Sequence, residues 1–323
     1  MPNAQRPKSP YIRPDVKAFL DQINANPAKF PENPDPVKMR AAPGPEVRAK
    51  LDLPLGELAL DKMLELPGPG GTPLGARLFD CRAGRGPGPL LLYFHGGGFV
   101  VCSSETHASI CAEISRQMDL PVLSLDYRLA PEHPWPTAHD DAEHSARFLA
   151  ENPALLRDLG YSVTGLILGG DSAGANLALV TSIALRDNPA ALPVLAQLLF
   201  FPAPDMENRN SASFGEFSSG YMMSPEALAF FGRCSKADPA SWRASPIKAE
   251  LSLLPPTVLA VSGLDPFRDQ GRALAQKLAE SETTLFFHEL RGVPHAWITN
   301  RRVMPSTQKD LSLLLAALKA MLA

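Results

Sequence analysis

The chain predicts a doubly wound α/β fold: a mostly parallel central sheet, helices on both faces, and one long insertion. Three observations carry this. Short apolar runs alternate with amphipathic stretches along most of the chain, the rhythm of strand–helix–strand units. The run Pro89–Phe94 is apolar throughout, as a strand buried on both faces must be. The run Leu166–Leu168 ends in Gly-Gly-Asp-Ser-Ala-Gly before another helical stretch, which marks a sharp strand-to-helix turn.

Taken in order, residues 1–55 are rich in proline, yet Asp15–Asn24 spaces Val16, Phe19, Leu20 and Ile23 three and four apart, one apolar face of a helix. A second short helix is expected around Pro45–Leu51. An apolar stripe is costly to leave in water, so this segment is expected to be a helical flap rather than a frayed leader. Leu58–Leu66 and Leu74–Asp80 read as a hairpin around a Pro/Gly-rich turn. Pro89–Phe94 is a strand, Glu105–Met118 an amphipathic helix, Pro121–Leu125 a strand and Thr137–Ala150 a helix. Thr164–Leu168 leads into the serine turn, and Leu177–Leu185 continues as a helix. Val194–Phe201, Thr257–Val261 and Thr284–Leu290 read as strands, Gln270–Ala279 and Gln308–Leu322 as helices. Pro202–Ser245 breaks the rhythm, and an insertion of that length in a compact domain is expected to be a functional lid.

Composition bounds the function. A chain of 323 residues with 45% hydrophobic and 20% charged residues is a globular protein with a sizeable core. A net charge of −3, from 31 basic and 34 acidic residues, favours neither nucleic acid nor an anionic membrane as partner. The four cysteines form no Cys-x-x-Cys pair, which argues against zinc and against a disulfide framework. Met-Pro-Asn-Ala-Gln-Arg-Pro-Lys at the start has no apolar signal-peptide core. No run approaches the roughly 18 apolar residues of a membrane span. The expectation is a cytoplasmic protein with reduced thiols and no stable membrane insertion; a homo-oligomer is left open.

Gly170 and Gly174 flank Ser172 at i−2 and i+2, the pattern of a nucleophile elbow. Glycine is needed where strand and helix backbones come too close for a Cβ. A serine hydroxyl needs a base, and the base an orienting acid, arriving in the order serine, acid, histidine. Two histidines follow Ser172. His288 lies inside an apolar strand run and is read as packing beside the sheet; His295, in the loop after Gly292-Val293-Pro294, is the base. Asp265 follows the strand Thr257–Val261 and is the acid. Asp269 is read as charging or capping the next helix. Asp205 and Asp238 fall in the lid, and Glu289 belongs to the strand of His288. His95-Gly96-Gly97-Gly98 follows the strand Pro89–Phe94, where bare backbone N–H groups can approach a developing oxyanion. The oxyanion donors are expected from Gly96, Gly97 and Ala173.

His95-Gly-Gly-Gly-Phe99, Tyr127-Arg-Leu-Ala-Pro-Glu132, Gly170-Asp-Ser-Ala-Gly-Ala-Asn-Leu-Ala178 and Asp265-Pro-Phe-Arg-Asp269 together make the chain resemble the hormone-sensitive-lipase family of α/β hydrolases, bacterial family IV, from about residue 58 to the end. The resemblance implies an α/β-hydrolase fold with a helical cap, and a serine carboxylesterase for short-acyl-chain esters needing neither metal nor cofactor. It divides the chain into an N-terminal part of the cap (1–55), core (56–201), cap insertion (202–245) and core (246–323). Two departures bear on substrate choice: Cys102 where the family commonly has glycine, and Ala296-Trp297 after the histidine. Amide or lactone hydrolysis, acyl transfer, or a non-catalytic receptor on the same fold are the alternatives. His107, His139 and His144 are read as surface or packing residues, and His133 as part of a stiff turn. Arg128 and Glu132 are read as buried structural polar contacts rather than catalytic ones. Phe214, Phe217, Tyr221, Met222 and Met223 stand equally for a pocket wall or the lid's own core.

Overall fold

The computed structural model describes residues 9–27, 29–42 and 44–323; the first eight positions, read above as lacking a signal-peptide core, lie outside them. The strands are β1 (Leu60–Pro67), β2 (Pro73–Asp80), β3 (Gly88–Phe94), β4 (Val122–Asp126), β5 (Val163–Asp171), β6 (Val194–Phe200), β7 (Thr257–Leu264) and β8 (Leu285–Pro294). The helices are α1 (Pro14–Ala25), α2 (Pro36–Ala41), α3 (Pro45–Leu51), α4 (Ala108–Met118), α5 (Thr137–Glu151), α6 (Ala173–Asp187), α7 (Ala212–Phe217), α8 (Pro225–Ser235), α9 (Arg268–Glu280) and α10 (Thr307–Met321). The strands form one sheet in the order β1-β2-β4-β3-β5-β6-β7-β8. The β1–β2 hairpin and the β2–β4 pair are antiparallel, and every pair from β4–β3 onward is parallel.

Successive strand residues point to opposite faces, and here both faces are buried. Leu90, Leu92 and Phe94 of β3 join Leu166 and Leu168 of β5 in one apolar cluster, with Leu149 of α5, Leu177 of α6 and Leu274 of α9. The intervening Leu91, Tyr93 and Ile167 enter the opposite cluster, with Ile114 of α4 and Leu314 of α10. Val16, Phe19 and Leu20 of α1 are buried in that second cluster. At about 1.5–3 kcal/mol per buried apolar side chain, this anchors the N-terminal segment rather than leaving it frayed. Arg13 adds an ion pair to Asp310 of α10 at 2.5 Å, and its N–H bonds the Gly292 carbonyl of the β8 edge at 3.3 Å.

Several boundaries depart from expectation for local reasons. The helix α2 was not foreseen; Asp35 caps it by accepting from the N–H groups of Val37 and Lys38, with Pro36 in the first turn. Arg40 of α2 donates to the carbonyls of Val100 and Ala130 at 2.8 and 2.7 Å and pairs with Glu132. The Arg40 hydrogen bond holds the Glu132 carboxyl down at about 2. Arg128 pairs with the buried Asp141 at 2.6 Å, whereas Glu132, expected in a buried contact, is exposed. α4 starts at Ala108 rather than Glu105, because Ser103 and Thr106 bond each other in a turn before it. The insertion holds α7 and α8, each capped by a serine, Ser211 and Ser224. β7 and β8 run further than the apolar runs suggested, to Leu264 and Pro294, and these last residues are register partners. No helix among the described residues is long and apolar enough to cross a membrane.

Candidate active site

The turn from β5 into α6 leaves no room for side chains beside its apex. A Cβ on Gly174 would stand 1.9 Å from the Phe94 carbonyl oxygen, and one on Gly170 would stand 2.5 Å from it. Ser172, between strand and helix, is held at φ 54°, ψ −116°. Such a conformation costs a non-glycine residue on the order of 1–3 kcal/mol and persists because the elements on either side over-determine it.

Asp265 and His295 follow the paired ends of β7 and β8, so the sheet register alone makes them neighbours. His295 Nδ1 lies 2.6 Å from Asp265 Oδ2, and its Nε2 lies 2.8 Å from Ser172 Oγ. Asp265 Oδ1 accepts from the Phe267 N–H at 2.8 Å, and the carboxylate is buried. An ionised carboxylate can only accept, so Nδ1 donates and Nε2 is left to accept from the serine hydroxyl. Phe201 and Phe267 stand edge-on to the imidazole, at 4.7 and 5.6 Å between ring centres. The rival residues are engaged elsewhere. Asp269, in the first turn of α9, accepts from the Ser213 N–H and pairs with Arg268 and Arg272. His288 bonds Asp310 at 2.9 Å. Asp205 borders the cavity but accepts from the N–H groups of Glu207 and Asn208, and Asp238 accepts from Ala240.

The glycine loop requires a correction. The Gly96 N–H donates to Asp171 Oδ1 at 3.0 Å and is therefore not an open oxyanion donor. Gly97, Gly98 and Ala173 line the cavity beside Ser172, and among the described residues no backbone acceptor is assigned to their N–H groups. Gly97 has φ 110°, and a Cβ there would meet the Val101 oxygen at 2.2 Å, so its glycine is obligatory. Gly98 borders the cavity beside Gly97, a placement that the motif alone does not reveal.

Beneath the loop lies a polar cluster that the sequence did not reveal. Asp171 also accepts from Tyr93 Oη at 2.8 Å and faces His107 Nε2 at 3.2 Å. Burial pushes its carboxyl up, but His107, Tyr93 and His95 outweigh that and hold it below the usual range. His107 is thus no surface residue: it precedes α4, is buried, and borders the cavity. His95 stacks on Tyr127 at 4.3 Å; burial, then the neighbouring His107, push it down to about 4. His139, bonded to Asn176 at 3.0 Å, is likewise pushed down to about 4 by burial.

A histidine whose folded value lies below its unfolded one near 6.5 contributes stability above that pH and loses it as pH falls toward the folded value. Unfolding free energy should therefore drop between about pH 6.5 and 4, by up to roughly 3 kcal/mol per ring. Urea titrations across this range test it, with His139→Gln flattening the loss; a constant free energy would contradict the buried neutral rings.

The cavity above Ser172 has a volume of about 230 Å³. Phe99, Met206, Phe214, Met223, Leu228 and Phe231 form its apolar walls. The five lid residues therefore divide. Phe214 and Met223 face the cavity, while Phe217 packs edge-on against Tyr221 at 5.2 Å and Met222 packs on the core. Cys102 borders the cavity too, but burial pushes its thiol up to about 12, so it is no thiolate near neutral pH. Among the described residues no group of three or more His, Cys, Asp or Glu is placed to hold a metal ion.

A family model described as the alpha/beta hydrolase fold matches residues 91–299. The chain is 34% identical over 289 residues to the carboxylic ester hydrolase LipN of Mycobacterium tuberculosis, spanning 87% of this chain and 73% of that protein. It is 31% identical over 325 residues to the esterase LipI of the same organism, spanning 98% and 97%. Among solved structures, a hyperthermophilic esterase from the archaeon Pyrobaculum calidifontis superimposes with a TM-score of 0.87 at 32% identity, over 96% of this chain and 98% of that one.

Proposed function

The chain belongs to the hormone-sensitive-lipase-like family of α/β hydrolases and is a carboxylic ester hydrolase; from that premise we propose that Ser172, His295 and Asp265 carry the reaction on short-acyl-chain esters. The carrying observation is the continuous relay from Ser172 Oγ to His295 Nε2 at 2.8 Å and from Nδ1 to Asp265 at 2.6 Å. Ser172 Oγ attacks the ester carbonyl as its proton passes to His295 Nε2, and Asp265 stabilises the imidazolium so formed. The N–H groups of Gly97, Gly98 and Ala173 bind the oxyanion. His295 returns the proton to the departing alkoxide, leaving an acyl-serine. Water, deprotonated by His295, attacks the acyl carbon; Ser172 Oγ departs and recovers a proton from His295, releasing the acid. A base within hydrogen-bond reach of the nucleophile speaks against a non-catalytic receptor.

The short-chain preference rests on the cavity. Its volume of about 230 Å³ is small beside the roughly 300–1,000 Å³ of sites for drug-sized ligands. The N-terminal segment (1–55) and the insertion (202–245) are read as one cap, supported by the ring contact of Phe30 with Phe230 at 5.7 Å. Four unpaired cysteines support a reducing, cytoplasmic setting. A panel of nitrophenyl esters tests the substrate reading: kcat/KM should fall at least roughly tenfold from butyrate to dodecanoate. A profile that is flat or rises to dodecanoate overturns the short-chain assignment and leaves the relay untouched.

A further inference from the structure

His107 borders the catalytic cavity but has no part in the relay, and its hydrogen-bond partners define its role. Nε2 lies 3.2 Å from Asp171 Oδ1 and forms its hydrogen bond with Oδ2 at 3.4 Å, and Nδ1 lies 2.9 Å from Thr106 Oγ1. The Thr106 hydroxyl lies 2.8 Å from the Ser103 carbonyl, which can take its hydrogen. With that hydrogen on the Ser103 carbonyl, both ring nitrogens face acceptors, the arrangement that a ring carrying both protons satisfies. Asp171 is 4% exposed, and its other two donors, the Tyr93 hydroxyl and the Gly96 N–H, are neutral. Asp171 immediately precedes the nucleophile and ties down the residue before Gly97 and Gly98. An uncompensated anion at that place would oppose the negative charge that grows on the substrate oxygen.

We propose that His107 is a positioning residue that, as an imidazolium, neutralises Asp171, so that Asp171 can tether the oxyanion loop without its own charge opposing the transition state. The inference rests on ester hydrolysis at Ser172.

The test compares kcat and KM for nitrophenyl acetate in H107Q, D171N and the double variant. His107→Gln keeps a donor near the Nε2 position without the charge; kcat should fall about a hundredfold with KM within roughly threefold of wild type. Asp171→Asn keeps acceptors for Gly96 and Tyr93 and removes the anion, and should cost only about tenfold. The double variant should be at least roughly tenfold faster than H107Q alone, because charge and counter-charge leave together. A packing role predicts the opposite, and a double variant no faster than H107Q overturns the proposal. Where H107Q does not fold, neutron diffraction of the wild-type protein at about pH 7 decides: deuterium on both ring nitrogens supports the imidazolium, and on one alone refutes it. Failure here and failure of the underlying reading are distinguishable. Normal turnover in H107Q beside an inactive Ser172→Ala rejects only the role of His107, whereas an active Ser172→Ala rejects the nucleophile.

Discussion

Replacing Ser172 by alanine is expected to lower kcat for nitrophenyl acetate about a million-fold, to what the oxyanion donors and binding alone provide. The size follows from the absence of a substitute. The thiol on the cavity wall, Cys102, is pushed up to about 12 by burial, so it is protonated near neutral pH. Water directed by His295 would still need the attack angle that the strained turn gives the hydroxyl. The variant should fold as wild type does, because Ser172 takes its conformation from Gly170, Gly174 and the α6 backbone rather than from its hydroxyl. Initial rates and the acylation burst are the measurements, with circular dichroism confirming the fold. A residual rate within about a hundredfold of wild type would place the nucleophile elsewhere.

Much of this site was legible because its parts are backbone requirements with a sequence signature. Gly170 and Gly174 must be glycine where α6 meets Phe94, and a strand run followed by an open loop predicted the places of Asp265 and His295. What escaped lies in direction and in reach. The triple glycine reads as a loop over a substrate carbonyl, but only the fold shows the Gly96 N–H bonded to Asp171, with Gly97 and Gly98 on the cavity wall. His107 escaped for a related reason. The sequence places it on a helix, whereas the turn closed by Ser103 and Thr106 ends just before it and its ring faces Asp171. The lid's helices carried readable caps at Ser211 and Ser224. Which of their aromatic residues face inward depends on docking, which no local periodicity encodes.

Replacing Asp265 by asparagine is expected to lower kcat about ten-thousand-fold with KM little changed. The geometry permits a nearly isosteric exchange, so the effect is one of proton placement. Asp265 Oδ2 takes the Nδ1 hydrogen at 2.6 Å, while Oδ1 is fixed by the Phe267 N–H at 2.8 Å. In the variant the amide oxygen stays on the Phe267 N–H and the amide nitrogen faces Nδ1, which must then accept. The ring proton moves to Nε2, and His295 presents a donor to Ser172 where a base is needed. The imidazolium of the transition state also loses its counter-ion in a site where Asp265 is 1% exposed and screening by water is small. Asp269→Asn is the matched control. Its carboxylate serves the Ser213 N–H and the guanidinium groups of Arg268 and Arg272, so turnover there should stay within about threefold of wild type. Equal losses in the two variants would mean that neither carboxylate orients the base by direct contact. A loss confined to Asp269→Asn would move the acid to the start of α9.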